Sequence, residues 1–136
     1  MDDVEKAVDE CIRLGGKPEI EEKILYGTHK LKIVHCDFGK FKIKFSPWFV
    51  SHANEIVLMS PDEFLSKVPK SPWSPDITEM KKRKIKELID KGVSLEPIFL
   101  DIDRKTGKVL EHEGRHRMMV LKEMGVKKVP VFIFYK

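Results

Sequence analysis

Between Lys108 and Phe134 the chain changes periodicity around two glycines, and this stretch limits the possible fold more tightly than any other. Lys108-Val109-Leu110-Glu111-His112 reads as a short strand, Glu113-Gly114-Arg115-His116-Arg117 as a tight turn, and Met118 to Met124 as a helix. Gly125 stops that helix, and Val129-Pro130-Val131-Phe132-Ile133-Phe134 supplies another strand. A glycine between strand and helix lets the backbone turn sharply, and an anion can approach the first helical amides without meeting a Cβ. Those amides lack intrahelical partners and lie at the positive end of the helix dipole. Arg115, His116 and Arg117 around them make the turn a compact phosphate or carboxylate receptor.

The rest of the chain supplies the elements for such a unit. Val4, Ala7, Val8, Cys11, Ile12 and Leu14 form a helical stripe over Asp3–Leu14, which Gly15-Gly16-Lys17-Pro18 ends. Lys30 to Lys44 alternates around a turn at Cys36-Asp37-Phe38-Gly39. This predicts a hairpin with an apolar face of Leu31, Ile33, Phe41, Ile43 and Phe45 and a lysine-lined face. Ile56 to Met59 is a buried-strand run, and Ser60-Pro61-Asp62-Glu63 starts a helix with a cap, a proline and a reciprocal glutamate. After the proline-rich Lys70–Pro75 connection, Asp76 and Glu79 read as the capping pair of a helix that runs to Lys91 and stops at Gly92. Pro97 to Ile102 is a strand, followed by a turn over 103–107 and the strand that opens the central stretch. The expected fold is α+β, a small mixed β-sheet with short helices plus an N-terminal helix and hairpin.

With 136 residues, 41% hydrophobic and 35% charged, the chain suits one globular domain with a real core. It lacks an apolar run long enough to span a bilayer, and its acidic start Met1-Asp2-Asp3-Val4-Glu5 is unlike a signal peptide, so a cytoplasmic location is expected. Cys11 and Cys36 lie in unrelated segments, which favours reduced, buried thiols over a disulfide or a metal site. The histidines His29, His35, His52, His112 and His116 form no short ligand cluster, so no metal site is expected. The net charge of +4 admits a nucleotide or DNA partner. Lys40, Lys42 and Lys44 form one basic block, and Lys81, Lys82, Arg83 and Lys84 another. Each block is either a solvated, aggregation-resistant face or a set of DNA phosphate contacts.

Glu113-Gly114-Arg115-His116-Arg117, followed by an apolar helix, a glycine and Val-Pro-Val-Phe-Ile, resembles the Gly-x-His-Arg region of the ParB/sulfiredoxin superfamily. Upstream, Lys86-Glu87-Leu88-Ile89, Gly92 and Ser94-Leu95-Glu96-Pro97-Ile98-Phe99-Leu100 are similar to the helix, glycine and Pro-Ile strand before that motif, and Ile56–Pro61 resembles its opening strand. The resemblance covers roughly residues 55–136 and implies a ParB/sulfiredoxin-like core there, with 1–54 as an extension of the same domain. Sulfiredoxins carry a cysteine where this chain has Arg115, so their chemistry is not expected. Partition-type ParB proteins carry Gly-Glu-Arg-Arg and continue into DNA-reading and dimerisation domains, whereas this sequence stops at Lys136. The acidic residue before the glycine is closest to the free-serine kinases and related ATPase- or nuclease-like proteins, although Arg115 departs from their pattern.

The resemblance therefore implies a nucleotide or other phosphate at Gly114, Arg115, His116 and Arg117, with ATP, ADP or CTP and Mg2+ as the candidate cofactors. Phosphoryl transfer or phosphoester hydrolysis needs charge neutralisation, positioning and one or two carboxylates. Glu113 and Glu96 are the candidate bases or metal ligands, and His116 the group that contacts the phosphate or moves a proton. The rival expectation is a non-catalytic DNA-binding or regulatory module that works through the two lysine blocks. Trp48 and Trp73 are core plugs or, beside the turn, base-stacking rings.

Overall fold

A computed structural model describes residues 1–136. Helix α1 (Asp3–Arg13) is capped by Asp2, whose carboxylate accepts from the Glu5 amide at 2.8 Å. Three antiparallel strands follow in the order β1 (Lys17–Leu25), β2 (His29–Asp37) and β3 (Lys42–Lys44). A short helix α2 (Pro47–His52) leads to β4 (Glu55–Met59), α3 (Pro61–Lys67) and α4 (Pro75–Asp90). Strands β5 (Phe99–Ile102) and β6 (Val109–Glu113), helix α5 (Arg115–Glu123) and strand β7 (Val129–Tyr135) complete the chain.

The second sheet has the order β4-β7-β5-β6. Its centre is β7, antiparallel to β4 and parallel to β5, while β6 returns antiparallel to β5, so the sheet is mixed as expected. Six of the seven residues of β7 are buried, which explains its continuous apolar sequence. Helices α3 and α4 both pack on α5. The cap and proline at the start of α3 follow the sequence reading, since Ser60 Oγ accepts from the Glu63 amide at 3.1 Å and Pro61 holds the first turn, but the Glu63 carboxylate makes no return bond to the Ser60 amide. At α4 the cap is Ser74, which accepts from the Ile77 amide, and not the expected Asp76–Glu79 pair; Pro75 takes the first helical position and sets the helix two residues earlier.

The N-terminal region departs from expectation in three respects. Strand β1 was not foreseen, because Glu19, Glu21, Glu22 and Lys23 give it an exposed surface and it is held by backbone pairing with β2 along its full length. The hairpin's apolar face is also different. Cys36 pairs with Ile43, so Val34, Cys36 and Ile43 face the core together, whereas Leu31 and Ile33 share the outer face with His35 and Lys44. The sequence from Leu31 to Cys36 is apolar in both phases, and packing of α1 on β2 selects the second. Finally, Cys11 and Cys36 form a disulfide and are not free thiols. Helix α1 crosses β2 where the two Cα atoms are 5.7 Å apart, a proximity that separation in sequence conceals.

Residues 1–54 are zipped to the rest of the chain. Ile43 forms a parallel bridge with Leu95, the Leu95 amide donates to the Lys42 carbonyl at 2.8 Å, and Lys44 returns a bond to Leu95 at 2.9 Å. Phe45 packs edge-on against Phe132 at 5.5 Å, and one hydrophobic cluster runs from Ala7 to Phe134. No helix is long and apolar enough to cross a membrane.

Candidate phosphate site

Gly114 is the N-cap of α5 and has φ +117°, a conformation L side chains rarely adopt. A Cβ there would also lie 2.7 Å from Ile98 Cγ2, inside the buried side chain of the residue just before β5. The site thus needs glycine for two separate reasons. Arg115, His116 and Arg117, read in the sequence as a turn before the helix, are its first three residues. Their backbone amides consequently open the positive end of α5.

A cavity of about 310 Å³ forms over this helix start. Its floor is Glu113, Gly114, Arg115, His116 and Arg117, and its opposite wall is Lys81, Lys84 and Ile85 of α4. His112, the residue before Glu113 on β6, completes the lining. Lys81 and Lys84 stand three residues apart on one helical face, as a shared wall requires. The cavity therefore gathers two lysines and two arginines against one carboxylate.

The two arginines differ in their commitments. Arg117 Nη1 donates to the carbonyl oxygens of Glu96 (2.6 Å) and Pro97 (3.1 Å), and Nη2 lies 3.7 Å from Glu113 Oε2. It pins α5 to the segment entering β5, and its burial pushes its pKa below the usual arginine value while Glu113 and Glu96 oppose that shift. Arg115 makes one hydrogen bond, from Nη1 to the Pro69 carbonyl at 3.0 Å, and its buried Nε has no partner. Arg115 is the freer of the two for a ligand.

Two further buried atoms, His116 Nε2 and His112 Nδ1, lack hydrogen-bond partners. Burial lowers the pKa of both histidines from 6.5, and the positive charge of Arg115 adds to the effect; Lys81 adds to it again at His116. Buried polar atoms are nearly always paired in proteins. All three unpaired atoms belong to residues that line the one cationic cavity, although the atoms themselves are closed to solvent.

Other expected residues fall elsewhere. The Glu96 side chain lies outside the cavity lining and pairs with Lys44 at 2.6 Å, so only its carbonyl serves the site. Lys42 faces Glu19 at 3.4 Å, and Lys40 Nζ reaches the Met124 carbonyl at 3.4 Å. Lys82 bridges Glu79 and Glu123, and with Arg83 it borders a separate surface depression. The four-residue basic block is thus split by the turn of the helix, with Lys81 and Lys84 turned to the cavity and Lys82 and Arg83 away. Trp73 stacks under Lys81, whose Nζ is 4.5 Å from the ring centroid, so it flanks the site. Trp48 belongs to an aromatic group with Phe49, His52 and Phe134 away from it.

Sequence reasoning missed the role of Lys81 and Lys84 as cavity walls. Their spacing of three puts them on one helical face, but only the position of α5 singles that face out. Comparison with family models, curated proteins and solved structures gives no match to the chain.

Proposed function

We propose that the Gly114 cavity binds the phosphate groups of a nucleotide or phosphorylated small molecule, and that the protein carries out phosphoryl transfer or phosphoester hydrolysis there. The observation that carries this reading is the convergence of Lys81, Lys84, Arg115, Arg117 and the α5 amino terminus on one cavity with a single carboxylate. Such a surface suits a multiply charged anion better than a neutral ligand. Arg115 and the two lysines neutralise the phosphate oxygens, the His116 ring lies beside them in the lining, and Arg117 holds the floor in place. Glu113 is the one carboxylate in the lining, placed to act as a base on an attacking hydroxyl or water beside the two imidazoles. Mg2+ fits as the nucleotide's companion ion, since it binds through one or two carboxylates together with substrate phosphates, and Glu113 is the available carboxylate. Trp73, held beneath Lys81, offers a ring face to a base.

The likeness of Glu113–Arg117 and its flanking elements to the Gly-x-His-Arg region supports a place in the ParB/sulfiredoxin superfamily as part of the same proposal. The DNA-binding alternative has less support, because Lys42, Lys44 and Lys82 are engaged by carboxylates.

Calorimetric titration with ATP, ADP and CTP, with and without Mg2+, tests the reading on the wild type and Arg115→Ala. Binding that weakens about tenfold or more in the folded variant is expected, and loss of a charge-assisted contact warrants that size. Absence of binding to all three nucleotides and to pyrophosphate would refute phosphate recognition. Parallel titration with duplex DNA in rising salt identifies the alternative, which predicts steep salt dependence.

A further inference from the structure

A second constellation lies on the outer face of the N-terminal sheet. His35 of β2 stands between Glu21 of β1 and Ser94 of the segment leaving α4. His35 Nδ1 is 2.6 Å from Ser94 Oγ, and His35 Nε2 is 2.9 Å from Glu21 Oε1. The carboxylate can only accept, so the neutral imidazole carries its proton on Nε2, and Nδ1 accepts from the Ser94 hydroxyl. The hydrogen bond from His35 lowers the Glu21 pKa, which keeps that carboxylate ionised to hold this tautomer. The bridge between Ile43 and Leu95 fixes the adjoining Ser94 alongside β3, so separate parts of the chain hold the three groups together.

The three side chains line a cavity of about 390 Å³ that shares no residue with the Gly114 site. Ser94 is 8% exposed, and the imidazole is partly shielded. Lys42 is the one lysine or arginine in the lining, while Ile20 and Val93 supply apolar surface.

We propose that Ser94, His35 and Glu21 form a serine-nucleophile site that hydrolyses small acyl esters. Ser94 Oγ bonds to the ester carbonyl carbon as its proton passes to His35 Nδ1, and Glu21 stabilises the resulting imidazolium. Collapse of the tetrahedral intermediate breaks the bond from carbon to the alkoxy oxygen. The leaving alcohol takes the proton back from Nδ1. Water then attacks the acyl-serine, gives its proton to Nδ1 and releases the carboxylic acid, with Ser94 recovering its hydrogen. Lys42, which pairs with Glu19 of the same lining at 3.4 Å, must turn from that carboxylate to offset the transient oxyanion.

The test is reaction of the full chain with a fluorophosphonate, which modifies activated serines, followed by peptide mapping. The expected result is a single adduct on Ser94, absent in Ser94→Ala. Loss of the base in His35→Gln should slow labelling about 100-fold or more, and the half-exposed Glu21→Gln, which leaves the core untouched, should slow it to a smaller degree. Hydrolysis of a nitrophenyl acyl ester should fall in the same order. A folded wild type that leaves Ser94 unlabelled overturns the proposal and makes the three groups a structural clasp. Labelling at an unchanged rate in Glu21→Gln and His35→Gln also overturns it.

Discussion

The Cβ that Gly114 lacks would lie 2.7 Å from Ile98 Cγ2. The chain therefore turns from β6 into α5 directly against the residue that enters β5, and no side chain fits between them. Gly114→Ala combines this overlap with a φ of +117° that alanine adopts only under strain. A loss of about 2–4 kcal/mol is expected from positive-φ strain together with core overpacking. Denaturant unfolding measures it, and stability within about 0.5 kcal/mol of wild type would contradict the described turn.

Arg115 and Arg117 are two residues apart, yet their substitutions should act on different quantities. Arg117→Met removes the donor to the Glu96 and Pro97 carbonyls and should cost about 2 kcal/mol of stability, as expected for a charge-assisted tie in a part-buried setting. Arg115→Ala and the double substitution of Lys81 and Lys84 by alanine should leave unfolding within about 1 kcal/mol of wild type. The same changes should weaken phosphate binding about tenfold or more. Thermal melts paired with calorimetric titration resolve the two patterns, and equal stability losses for both arginines would remove the distinction.

How far the sequence exposed this arrangement depended on whether neighbours in space were also neighbours in sequence. The glycine between β6 and α5 and the buried run of β7 were local signals, and both were read correctly as element boundaries. The start of α5 was placed three residues late because Arg115, His116 and Arg117 are polar, and the apolar spacing begins only at Met118. Strand β1 carried no clear alternation, since its Glu-rich surface is solvated on both sides over most of its length. Lys81 and Lys84 belong to a run of cations, and only the position of α5 determines which of them matter. The bond between Cys11 and Cys36 and the contacts among Glu21, His35 and Ser94 depend on tertiary crossings that periodicity cannot report.

Burial depresses His112 and His116 below their ordinary value of 6.5, with Arg115 adding to the shift. Between the folded and unfolded pKa values the unfolded chain binds more protons, so stability rises with pH there. Their contribution is complete above about 6.5 and is lost as pH falls through the lowered folded values. Unfolding midpoints collected from pH 8 to pH 5 should therefore decline on the acid side, and more gently when both histidines are replaced by glutamine. A bound phosphate favours the charged imidazole and should reverse part of this effect. Phosphate binding near pH 6 should take up protons, visible as a calorimetric heat that varies with the buffer's ionisation enthalpy. A heat independent of buffer would separate the two imidazoles from the ligand.

The Cys11–Cys36 bond closes a loop with a sequence separation of 25 residues and fastens α1 to the inner face of the N-terminal sheet. Loop-closure entropy for that length corresponds to about 3 kcal/mol. Reduction should lower the melting temperature by on the order of 10 °C, and Cys11→Ala with Cys36→Ala should reproduce the shift without reductant. Both sulfurs are buried, and a Cβ at Gly16 would approach Cys36 Sγ to 2.2 Å, so the segment fits the bonded pair closely. The Gly114 cavity lies outside this loop. Phosphate affinity at 25 °C should consequently remain within about twofold of the oxidised protein, since a site far from the change couples only weakly to it. A melting point insensitive to reductant would mean that the two thiols are unbonded in solution, and a large fall in phosphate affinity would show that the N-terminal sheet controls the cavity.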